Sequence, residues 1–261
     1  MTGTMPSTGI TARGVPGWLA ERANLDDGRM LPTEHLDQAD RHPAVIDTPL
    51  GAVRFGVRLG PDALPAAPDA LWRLANGSHL HRWQHRGATV DLLIGSIDVQ
   101  PWDGGAAVPI WAAIWQVQAP SGVPGLVVSA ELSDLPAGAY GGRDSGECLA
   151  AVSVENEHFM VSIGGPDSEL LGMQAADGRL MPSDWVDLLP ADGDDSMSEY
   201  GVRYEDPARI AWHLPGLGGL EVARLCIATA WCPRDDERPA AWYAVDIPLD
   251  TAYLHLIADP H

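Results

Sequence analysis

The sequence predicts an α+β fold: a mainly antiparallel β-sheet built from hairpins, with a few short helices at one face or the ends. Three observations carry this expectation. Apolar segments with period-two or branched and aromatic character outnumber segments with helical spacing. Consecutive segments of that kind sit at hairpin distance, separated by Gly, Pro, Asn or Asp. A strand–helix–strand rhythm with long crossovers is absent.

Along the chain, residues 1–17 are rich in Thr, Gly, Pro and Ser and read as a flexible tail before a single domain over 18–261. A subdivision near 133–147 is the alternative. Trp18–Ala23 can form a short helix, and residues 26–49, broken by Pro32, Pro43 and Pro49, read as irregular cover. Residues 51–59 alternate Val53, Phe55 and Val57 with Arg54, Gly56 and Arg58, the pattern of a half-buried strand. Residues 69–77 read as a short helix, capped by Asp69 and ended by Gly77. Residues 88–100, 109–118 and 125–132 are strands by composition, the first two joined through Pro101–Gly105. Residues 137–147 read as a glycine-rich connection.

Two further strands over 148–165 fold about Glu155-Asn156-Glu157, with Val152 and Val154 opposite Phe159, Val161 and Ile163. Residues 182–190 offer a helix start with Ser183 as cap and Val186 and Leu189 at helical spacing. Residues 221–231 and 240–248 read as a hairpin around a polar loop, and 249–258 as a closing helix capped by Asp250.

Composition bounds the function. An apolar share of 46% over 261 residues suffices for a core. All 16 Lys+Arg positions are arginine, which removes Schiff-base lysines, the P-loop lysine and lysine general bases. A GC-rich coding bias accounts for that pattern alongside 28 Gly and 22 Pro. With 36 acids the formal net charge is −20, so phosphate backbones and anionic membranes are disfavoured and a basic protein is the favoured partner. Cys148, Cys226 and Cys232 make no disulfide framework, and neither a secretory apolar core nor a run of about 18 apolar residues occurs, so a cytoplasmic setting is expected.

His79, His81 and His85 crowd one short segment with Arg82 and Arg86 between them. They are weak metal candidates for a metal-dependent enzyme, because no aspartate lies close by and arginine repels a cation. Cys226 reads as a buried small hydrophobe and Cys232 as an exposed loop thiol. Ser162–Gly165 and Leu217–Gly219 read as turns, since neither makes a dinucleotide fingerprint. The acidic stretch 184–206 lacks the alternating ligands of a calcium loop and reads as a solvated loop or docking surface.

No catalytic set is complete and no cofactor is implied. The leading expectation is therefore an acidic protein-binding protein of immunity or inhibitor type, with Trp83, Trp185, Asp192, Asp194, Asp195, Asp235, Asp236 and Glu237 holding a basic partner. The alternatives are the metal-dependent enzyme and a small-ligand binding module, the latter suggested by 10 Trp against 2 Phe.

Overall fold

Alternating side chains can bury one face of a strand only if a second layer covers it, and this chain supplies two such layers. The computed structural model describes residues 33–35, 44–74, 76–99, 108–190, 198–234 and 240–257. Its first strands are β1 (Thr33–His35), β2 (Val45–Thr48), β3 (Gly51–Leu59), β4 (Asp62–Ala63), β5 (Ala70–Leu74), β6 (His79–His85), β7 (Ala88–Ile97) and β8 (Ile110–Gln118). They are followed by β9 (Leu126–Ser133), β10 (Tyr140–Gly146), β11 (Leu149–Glu155) and β12 (Phe159–Pro166). The last three are β13 (Gly201–Asp206), β14 (Arg209–Leu214) and β15 (Val222–Pro233).

All pairings are antiparallel. The larger sheet has nine strands in the order β1-β5-β6-β7-β8-β15-β12-β11-β10, and the smaller runs β13-β14-β9-β3-β2 with β4 on β3. The two sheets face each other across one apolar core. Val53, Val57, Val128 and Trp212 of the smaller sheet share that core with Leu92, Trp115, Val152 and Ile227 of the larger. Val152 pairs with Ile163 and Val154 with Val161, as their alternation predicts.

The opposite face of the larger sheet is covered by helices. Leu93, Ile114, Ala228 and Ala230 share a second core with Ala241 of α2 (Ala240–Ala244) and with Ala252 and Leu256 of α3 (Leu249–Ile257). Earlier in the chain, α1 (Ser168–Asp177) is capped by the Asp167 side chain, which accepts the Leu170 N–H, and is closed by Gly178 at φ 69°. The result is three layers: small sheet, large sheet, helices.

Several local expectations are corrected. Residues 70–74 form β5 in place of a helix, because Leu71 is buried on one face while Trp72 and Leu74 join the helix-side core. Asp69 accepts the Gln84 N–H at 2.6 Å and caps nothing. The glycine-rich segment is β10, paired residue for residue with β11. Residues 240–244 are helical, so β15 lies between β8 and β12 and not against 240–248. A 3₁₀ turn spans Ser183–Asp187 with Pro182 at its cap position; it buries Trp185 and leaves Val186 exposed. Gly164 and Gly165 are strand residues, because a Cβ at Gly165 would lie 2.7 Å from the Trp212 ring and 2.9 Å from the Cys226 carbonyl oxygen.

Candidate functional site

The histidine segment folds as β6, and its turn explains why. Arg86 and Gly87 both adopt positive φ, 51° and 77°, and join His85 to Ala88 as a two-residue hairpin loop. In a strand the histidines share one face with Trp83, turned toward the core between the sheets. The His81 ring stacks on Trp83 at 5.8 Å between centroids, and Trp83 lies 5.9 Å from Trp115. Burial pushes the His81 pKa down to about 4, with His79 adding a smaller effect, so His81 is neutral at physiological pH. Its Nδ1 is buried without a hydrogen-bond partner. Among the described residues no three His, Cys, Asp or Glu side chains converge as a metal set.

Arg82, on the opposite face of β6, makes a bidentate pair with Asp91 at 2.6 and 2.7 Å. The row continues across the sheet. Asp91 is in register with Gln116, and Gln116 with Arg224, whose Nε donates to Gln116 Oε1 at 2.7 Å.

The aromatic row ends at a cleft in the edge of the smaller sheet. β2 pairs with β3 only over Gly51–Arg54, and β4 only over Arg58–Leu59, so no described strand covers Phe55 and Gly56 on that side. There a cavity of about 370 Å³ opens, with Phe55, Trp83 and Trp115 as its aromatic floor and Arg54, Arg58 and Arg209 among its lining. That volume lies within the range of about 300–1,000 Å³ usual for small-molecule sites. Trp83 Nε1 is satisfied by the Pro65 carbonyl oxygen at 3.0 Å. Trp115 is 3% exposed, and its Nε1 has no acceptor. An unmet buried donor costs about 1–3 kcal/mol.

The three arginines differ in commitment. Arg54 donates to Ser133 Oγ at 2.8 Å and to Asp134 at 3.2 Å, and that bond holds the Asp134 carboxyl below its usual range. Arg209 pairs with Glu205 at 2.8 Å and approaches Glu131 at 3.7 Å. Arg58, exposed at the cleft, has no ion pair among the described residues. Among the described residues no acid, histidine or cysteine lines this cleft, and Ser129 is the one hydroxyl. A second cavity, of about 240 Å³, lies on the helix side and contains Cys148, Cys226, Gln174 and Asp246 but no arginine. Burial raises the pKa of Asp246 there and pushes Cys226 up to about 12, which keeps that thiol unreactive.

The expected docking residues divide sharply. Trp185 is 0% and Trp83 5% exposed; the Trp185 indole donates to the Gly216 carbonyl oxygen at 3.0 Å, so both are core anchors and not surface platforms. Their polar sequence neighbours obscured this, because a 3₁₀ turn and a strand each turn one large side chain inward. Asp192, Asp194, Asp195, Asp235, Asp236 and Glu237 lie outside the described residues, as do the N-terminal tail and the Trp18–Ala23 segment. Cys226 is buried as expected, and Cys232 is buried as well, because β15 extends through it into the helix-side core. Arg58 and Trp115 were readable only as a strand charge and a core aromatic. Their meeting depends on the gap between β2 and β4, which has no local signature.

Fold and cleft together define an antiparallel β-sandwich with a helical third layer and a ligand-sized opening at one sheet edge. No family model and no curated protein matches the chain. Among solved structures it is similar to a protein from the human microbiome described provisionally as a kojibiose phosphorylase. The two are 6% identical, the match covers 86% of this chain, and the TM-score is 0.43. The chain spans 28% of that protein's length.

Proposed function

We propose that this chain is a binding module for a small ring-bearing ligand taken up at the edge cleft. The observation that carries the reading is the interruption of the β3 edge, which opens a cavity of about 370 Å³ onto an aromatic floor containing the buried, unpartnered Trp115 donor. An apolar body would be held by Phe55, Leu64 and Pro65, and orientation would come from the few polar groups of the lining. Among the described residues no base or acid accompanies Ser129 in the lining, which favours binding as the reading.

Gly56→Val tests it. Gly56 lines the cleft, and a Cβ there would meet only the Ser129 hydroxyl, at 2.9 Å, which can rotate aside. Valine also favours strand backbone, so the variant is expected to fold. A planar-ring fragment set screened by ligand-observed NMR should give binders to the parent chain that Gly56→Val loses. Binders that the variant retains unchanged would remove the cleft from the account.

A second reading, an acidic inhibitor of a basic protein in the cytoplasm, is supported by the net charge of −20. With Trp83 and Trp185 buried it rests on charge, and a polar rim is all such an interface would use. Capture of one basic protein at low salt that weakens as salt rises would support it; capture insensitive to salt would count against it.

A further inference from the structure

We infer that the ligand of the edge cleft is an organic anion, a carboxylate carried on a planar apolar ring, with Arg58 as its charge partner and the Trp115 indole as a second donor. This rests on the reading of the cleft as a ligand site and adds the class of ligand.

Every side chain in the lining with a charged or strongly polar head is a hydrogen-bond donor: three guanidinium groups, the indoles and the Ser129 hydroxyl. Among the described residues the lining contains no carboxylate. Nearby acids engage the flanking arginines, Asp134 with Arg54, and Glu205 and Glu131 with Arg209. Arg58 is left without an ion pair among the described residues. Its guanidinium fork matches a carboxylate in two parallel bonds, which a neutral amide cannot reproduce.

The sheet register explains how the arginines converge. Arg54, Gly56 and Arg58 project from the outer side of β3, while the neighbouring row of Gly56, Ser129 and Ala211 is kept low by small side chains. Because no described strand pairs with β3 at Gly56, these outer arginines and the inner aromatic side chains border one opening at the sheet edge. In a chain whose field is otherwise negative, this concentration of arginine at an apolar opening is the local feature that would select an anion.

The test compares naphthalene-2-carboxylate with naphthalene-2-carboxamide, equal in shape and different in charge, by calorimetry on the full chain. The carboxylate should bind at least about ten-fold tighter, a difference of about 1.4 kcal/mol. Raising salt should weaken the carboxylate and leave the amide unchanged. Arg58→Gln should remove the preference, bringing the carboxylate down to the affinity of the amide, and because Arg58 is exposed the variant should melt like the parent. Equal affinity for both probes, or a preference that survives Arg58→Gln, overturns the anion inference and leaves the cleft as a neutral ligand site. Failure of both probes to bind at millimolar concentration overturns the cleft reading itself, and the inference with it.

Discussion

At the scale of single residues, β6 shows how strand alternation assigns opposite tasks to neighbours. His81 faces the core between the sheets and Arg82 the other side, so one is held neutral and the other is held charged against Asp91. The His81 pKa is depressed by burial, so between about pH 4 and 6.5 the unfolded chain binds the proton that the folded chain refuses. Its contribution to stability is therefore complete above about pH 6.5 and is lost as the pH falls to about 4, a loss of about 3 kcal/mol. His81→Phe should flatten that acid limb in urea titrations run from pH 7 to pH 4; an unchanged limb would show that another group carries it. Asp91→Ala strands a buried guanidinium and should cost about 3–5 kcal/mol, whereas Arg82→Met with Asp91→Leu should recover most of the loss. Chemical denaturation of the two variants separates a pair retained for stability from one retained for register.

At the scale of elements, legibility followed the length and regularity of the pattern. Residues 51–59 announce β3 because their alternation is unbroken and their arginines need water. Residues 69–77 and 240–248 exchange roles relative to expectation, since short apolar runs suit either geometry and only their neighbours decide. Residues 70–74 have β6 and β1 to pair with, and residues 240–244 lie across β15 and β12. Gly164 and Gly165 read as a turn, yet their lack of side chains serves contact across layers. Gly165→Ala should cost about 1–3 kcal/mol by driving a methyl into Trp212, whose indole is fixed by its bond to the Pro166 carbonyl oxygen at 2.7 Å. Thermal denaturation should show this as a clear fall in Tm, and near-UV circular dichroism should report a changed tryptophan environment. In the β6–β7 turn, Gly87→Ala should cost about 1 kcal/mol because φ is 77° there. An unaffected melting temperature for that variant would mean the turn relaxes without strain.

At the scale of the whole molecule, the antiparallel class was legible, because it follows from local periodicity; the division of the strands into two facing sheets was not, because it depends on contacts between distant segments. The candidate site was not. It depends on where β2 stops and β4 starts along β3, and on three arginines at positions 54, 58 and 209 that meet only through sheet order. The histidine cluster drew attention by density, but in the fold His81 stacks against Trp83 and the three histidines do not converge on a metal set among the described residues. The tryptophan excess pointed toward a ligand, and Trp115 rather than a surface tryptophan is the one that offers an unmet donor at a cavity.

The central claim is that this donor waits for an acceptor carried by an anionic ring. The most direct measurement is the Trp115 indole N–H resonance in a ¹⁵N-labelled chain, assigned by its absence in Trp115→Phe, during titration with naphthalene-2-carboxylate. A saturable downfield shift of that resonance is expected, as its proton gains an acceptor, with the midpoint of the titration moved to about ten-fold higher carboxylate in Arg58→Gln. A resonance that stays fixed while the carboxylate binds elsewhere would contradict the account.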